Sequence, residues 1–117
     1  MVTENAIIEN VHFGFRDYGC LTLDLQLKLP HSGGVIFGGF NLGHQRDEAY
    51  KRDNGNNVCF HYINKVFKIA GAEDFDDLVG KPIRAIFDGN TTLGSKVIGI
   101  QHFLEDDKFI PSEEYKQ

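Results

Sequence analysis

The chain of 117 residues has no tryptophan, one methionine, three prolines and two cysteines. Each shortage excludes something. Without Trp, the ten Phe residues must supply the large rings of any core. Cys20 and Cys59 belong to no CxxC pair, which excludes a disulfide framework or a zinc knuckle and suits a reducing compartment where buried thiols act as small hydrophobes. No apolar run approaches the roughly 18 residues that cross a bilayer, and no charged, then apolar, then small-residue leader opens the chain, so a cytoplasmic location is expected. Positive charge is short as well: 12 Lys and Arg against 17 Asp and Glu give a formal net charge of -5. That balance argues against coating duplex DNA, whose affinity comes from cations displacing phosphate counterions.

What is present reads as one globular domain over residues 1–117, with 41% hydrophobic and 25% charged residues and enough length to bury a core without metal or disulfide. Leu21, Leu23, Leu25, Leu27 and Leu29 alternate with Thr22, Asp24, Gln26 and Lys28, the period of a strand with one face buried and one solvated. Ile7, Val11, Phe13 and Phe15 share a parity upstream, and Arg16-Asp17-Tyr18-Gly19 offers turn residues, so a hairpin is expected. Pro30 ends the Leu strand, and Val35 to Leu42 returns as a third strand carrying Gly38-Gly39. A glycine pair inside a strand marks a bulge, a bend, or close approach by another backbone or a ligand.

Residues 43–56 are polar, without period, and longer than an ordinary connection. From Asn57 the spacing of Cys59, Ile63, Val66, Phe67 and Ala70 gathers them on one helical stripe, with Gly71 as the left-handed stop. Glu73 to Leu78 looks like one further turn. Pro82 to Phe87 and Lys96 to Leu104 read as two strands joined by a polar turn over 88–95, before an acidic tail. The expected fold is α+β, an antiparallel sheet of about five strands packed against one main helix in the order βββαββ.

No reaction centre stands out, so a non-enzymatic protein is expected, with no catalytic residue, metal or cofactor. No two of the five histidines fall at the close spacing of a helical or knuckle zinc site. Cys59 and His61 point in different directions on a helix, which disfavours a Cys-His nucleophile. The glycines match neither a dinucleotide fingerprint nor a Walker A loop. Acidic clusters at Glu73 to Asp77 and Glu105 to Asp107 read as a helix N-terminus and a solvated tail. What remains is a binding surface: aromatic faces beside donors and cations can stack a base and hold a phosphate. Its candidate residues are Gly38, Gly39, Phe40, Asn41, His44, Arg46, Tyr50, Arg52, Lys65, Arg84, Asn90, Thr91 and His102. The alternative is that Phe37 and Phe40 are core and the loop after them is merely solvated.

Gly14-Phe15-Arg16-Asp17-Tyr18-Gly19, Phe37-Gly38-Gly39-Phe40-Asn41-Leu42, Asp77-Leu78-Val79-Gly80-Lys81 and Ile98-Gly99-Ile100-Gln101-His102 resemble a family of short phage and prophage accessory proteins. The commoner form of that family reads like GxEDHGI, GFGGYxLD and IGHxxKDKWF. This chain departs from it at Arg16, Tyr18 and Asn41, in an extra Ile-Gln before His102, and in Phe109 where the tail has Trp. The resemblance implies counter-defence: an oligomeric binder similar to the Thoeris anti-defence sponges, sequestering a cyclic ADP-ribose-like or cyclic oligonucleotide signal in the host cytoplasm. Two other classes stay open, an anti-CRISPR-like inhibitor gripping a host defence protein and an enzyme degrading a nucleotide signal. An exposed strand edge would favour a homo-oligomer.

Overall fold

A computed structural model of the chain describes residues 1–16, 19–31, 33–44, 58–89 and 96–115. In chain order the elements are β1 (Val2–Phe15), β2 (Leu21–Leu29), β3 (Gly33–Phe37), α1 (Val58–Ala70), α2 (Phe75–Leu78), β4 (Pro82–Phe87), β5 (Val97–Gln101), β6 (Lys108–Phe109) and α3 (Pro111–Glu114). The strands form one open sheet in the order β3-β2-β1-β4-β5-β6, antiparallel at every pairing. The fold is α+β. It has six strands rather than five, because the segment expected as an acidic tail returns along β5 and then makes one more helical turn.

β1 is the long spine of the sheet. Its first half pairs with β4 and its second half with β2. A register shift between Ile8 and Asn10 interrupts the second pairing. An extra residue in a strand reverses which side chains point inward. Ala6 and Ile8 are therefore buried before the shift, while Val11 packs against the core after it. Ile7, expected to share a face with Val11, is exposed for this reason.

β2 keeps its expected alternation on the leucine face, where Leu23, Leu25, Leu27 and Leu29 are buried. The opposite face departs from expectation: Thr22 and Asp24, read as solvated, are only 6% and 8% exposed. Strand β3 stops at Phe37 rather than running to Leu42. The chain leaves the ladder for residues 38–41 and rejoins β2 when Leu42 donates to Leu21 O and Gly43 O accepts from Leu21 N.

Helix α1 packs into the leucine face through Tyr62, Val66, Ile69 and Ala70, with Cys59, Ile63 and Phe67 half-buried beside them. The buried stripe is thus rotated by about one residue toward Tyr62 and Ile69 from the stripe expected at Cys59 and Ile63. Full burial of such side chains contributes roughly 1.5–3 kcal/mol each. The helix closes at Gly71, whose left-handed backbone lets its N–H and that of Ala72 donate to Phe67 O. In α2, the Asp74 carboxylate caps Asp77 N at 2.8 Å, and Phe75 stacks on Phe13 with ring centroids 5.0 Å apart. Among the described residues, no helix is long and apolar enough to cross a membrane.

Candidate binding cleft

The excursion over residues 38–41 is held by a polar cluster on the side of β2 away from the leucines. Phe37 pairs with Leu25, so the next residue, Gly38, falls against Asp24. A Cβ on Gly38 would overlap Asp24 Oδ1 and lie 2.8 Å from Asp24 Cα, and the residue's φ of +154° is one that side chains rarely adopt. Gly39 N then donates to Asp24 Oδ1 at 2.7 Å. The other carboxylate oxygen accepts from Arg16 Nε at 2.7 Å and from Thr22 Oγ1 at 3.1 Å. These bonds explain why a carboxylate tolerates burial on this face: every oxygen has a donor. The close approach foreshadowed by the glycine pair is therefore made by Asp24.

Beyond this anchor the open sheet curves round without closing. β3 lies against β5 as well as beside β2, and between the two runs a cleft of about 180 Å³. Phe37, Gly38, Gly39 and Phe40 line one side and Lys96, Val97 and Ile98 the other; Tyr62, Pro111 and Ser112 complete it. A second register shift contributes here. Ile86 pairs with Gly99 but Phe87 with Val97, leaving Ile98 unpaired, and a bulge of this kind re-aims side chains at the end of a strand.

Rings dominate the cleft. Tyr62 is fully buried, stacked with Phe37 at 6.1 Å and with Phe40 at 6.0 Å, with Phe109 edge-on at 5.0 Å. Its hydroxyl has no hydrogen-bond partner among the described residues. Burial, then the charge of Asp24, then Tyr115 push its pKa well above the ordinary phenol value. Tyr62 therefore stays protonated and neutral, a buried donor with no acceptor among the described residues. Lys96 is exposed and supplies positive charge on the β5 side.

Of the residues named from sequence, the structure brings Gly38, Gly39 and Phe40 together in the cleft. Asn41 stands just beyond it, its Oδ1 accepting from Gly43 N at 2.9 Å, and His44 forms a bridge with Cys20. Lys65 lies on α1 with its ammonium 3.6 Å from Glu114. Arg84 and His102 sit at the other end of β5. There Arg84 Nε donates to His102 O at 2.9 Å, while His102 Nδ1 accepts from Leu104 N and Glu105 N at 3.0 and 3.1 Å. Both side chains shape the turn after β5. Arg46, Tyr50, Arg52, Asn90 and Thr91 lie outside the described residues, as do most of the 43–56 loop and the 88–95 turn.

Sequence reasoning missed Asp24, Tyr62, Lys96 and the Pro111–Ser112 wall. Asp24 was within reach: extending the β2–β3 register by one residue past Phe37 sets it opposite Gly38. Tyr62 carried no such signal, because only the packed helix shows which flank of α1 faces the sheet. Among the described residues no three His, Cys, Asp or Glu side chains are grouped to hold a metal ion. Burial also raises the Cys59 thiol pKa, which disfavours the thiolate a nucleophile requires. In comparisons with known proteins, the chain matches no protein-family model and no curated sequence.

Proposed function

We propose that this protein is a binding module that captures a small ligand carrying a planar ring and an anionic group. Its setting is phage or prophage counter-defence, in the host cytoplasm, and its ligand is a nucleotide-type immune signal of the cyclic ADP-ribose or cyclic oligonucleotide kind. The observation that carries this reading is the cleft between β3 and β5, where half-buried Phe40 and exposed Lys96 line opposite sides and the buried rings of Phe37 and Tyr62 also contribute to the lining. Flat aromatic faces beside donors and a cation suit a base and its phosphate. At about 180 Å³ the cleft is smaller than the roughly 300–1,000 Å³ of drug-sized sites. It accommodates one ring, with the remainder of the ligand along its mouth.

The counter-defence setting rests on the sequence patterns that resemble phage accessory proteins. Self-association belongs to the same proposal: Ile36 on β3 is 65% exposed, an apolar side chain that a second copy would cover. The same exposed side chain suits the second reading, direct binding to a host defence protein.

Thermal melting with cyclic ADP-ribose isomers and cyclic dinucleotides tests the proposal. A stabilising shift for one of them, with the compound recovered intact after heating and the shift reduced in Lys96→Gln, is the expected result. Recovery of a chemically altered compound would identify an enzyme instead. Absence of any shift, with co-purification of a host defence protein, would establish the inhibitor class.

A further inference from the structure

Helix α1 presents His61 and Lys65 one turn apart, and both meet the end of the chain. His61 Nδ1 and Tyr115 Oη are hydrogen-bonded at 2.7 Å. The Glu114 carboxylate lies 3.6 Å from Lys65 Nζ and 3.9 Å from His61 Nε2. The Tyr115 ring rests on Phe40, centroid to centroid 5.2 Å, and Phe40 is itself a wall of the cleft. Two adjacent residues thus place a carboxylate on a basic pair and a ring on an aromatic wall. Pro111 and Ser112 from the same segment also line the cleft.

The segment is firmly rooted at its base, exposed through its middle, and held at Tyr115 by the bond to His61 and by ring contacts with Phe40, His61 and Phe109. Phe109, Ile110 and Pro111 are buried, whereas Ser112, Glu113 and Glu114 are exposed and Tyr115 is half-buried. Helix α3 is four residues long and has no side-chain cap at its start. A single helical turn has little stability of its own. Ion pairs between partly exposed groups add little more.

We infer that Phe40, His61 and Lys65 form a subsite for an aromatic anion, which the chain's own Glu114–Tyr115 pair occupies as an internal competitor. The inference rests on the reading of the adjoining cleft as the ligand site. A ligand with a ring and a phosphate or carboxylate displaces the pair, its ring taking the place of Tyr115 on Phe40 and its charge that of Glu114 on Lys65 and His61. Phe109 to Pro111 stay in place as the hinge.

Adenosine 5′-monophosphate, titrated calorimetrically into the full chain, is the probe. The double variant Glu114→Gln, Tyr115→Ala is expected to bind it at least tenfold more tightly than the wild type, and adding Lys65→Gln to abolish the gain. Tyr115→Phe, which keeps the ring and loses the bond to His61, gives a smaller gain and covers the case in which the double variant folds poorly. Unchanged or weaker affinity in both variants, or no binding by any of them, overturns the subsite. Hydrogen exchange adds a test without ligand: amides of residues 113–115 must exchange far faster than those of β5, and equal protection overturns the internal competitor. A cyclic-nucleotide melting shift in the wild type with no gain in the variants refutes the subsite alone. A gain with the monophosphate but no cyclic-nucleotide shift upholds it and refutes the immune-signal reading.

Discussion

Two glycines mark places where the chain comes unusually near its neighbouring strand, and they do so for different reasons. At Gly38 the neighbour is Asp24, and the backbone takes a positive φ so that the next amide can reach the buried carboxylate. At Gly99 the backbone carries no positive φ, and the neighbours are Phe109 O and Ile110 Cγ1, which would lie 2.6 and 2.7 Å from an added Cβ. Gly38 satisfies space, conformation and hydrogen bonding together. Gly99 satisfies space alone. Gly39 completes the contrast, with a φ of +76° and nothing within 4 Å of an added Cβ, so conformation alone selects it.

The largest effect is therefore expected for Gly38→Ala, a loss of about 3 kcal/mol from strain and overlap combined, measured as a lower urea midpoint. Gly99→Ala should cost about 2 kcal/mol, since only packing is disturbed. Equal or reversed losses would show that conformation and the Asp24 bonds add nothing at Gly38. Asp24→Ala leaves Gly39 N–H, Arg16 and Thr22 without their acceptor and is expected to cost about 2 kcal/mol. In that background Gly38→Ala should cost less than in the wild type, because contacting residues are not additive; strict additivity would refute the contact. Gly39→Ala should cost about 1 kcal/mol, the ordinary penalty of a left-handed backbone, and a loss as large as that of Gly38→Ala would reveal crowding there too.

The smallest effect concerns alkaline pH. Burial, and then the Glu114 carboxylate, push the Tyr115 phenol from 10.0 up to about 12. A raised pKa means that the folded chain holds its proton where the unfolded chain has released it. The resulting stabilisation is complete below pH 10 and is lost as pH rises toward 12. Denaturation monitored across that window should show declining stability, and phenolate absorbance in Tyr115→Phe should lose a late-titrating component. Loss of a component that titrates near the ordinary value of 10.0 instead would mean that Tyr115 is not docked on Phe40 and His61.

Much of the fold was legible because it is written in short spacings. The leucines of β2, the hairpin with β1, the extent of α1 and its stop at Gly71, and the strand from Pro82 to Phe87 all follow from periods of two or 3.6 and from turn chemistry. The errors fall where a distant partner intervenes. The extra residue near Glu9 exposes Ile7; Asp24 is buried by a loop folding back over it; α1 is rotated toward Tyr62 by rings on β3 and β6. For the candidate site, the glycine pair and Phe40 were visible as irregularities in a strand, while Tyr62, Lys96 and Ser112 come from three other elements with no local mark of convergence.

By itself, then, the sequence determined the first two strands, the main helix and the strand from Pro82, the aromatic composition of the core and the presence of an unusual site at Gly38-Gly39. Tertiary structure alone decided that Asp24 is buried under those glycines with a donor on each oxygen, that a cleft opens between β3 and β5, and that Glu114 and Tyr115 cover its neighbour on α1. The reason is physical: periodicity records which way a side chain faces relative to its own backbone, whereas the identity of what it faces depends on register and sheet curvature set by residues far along the chain.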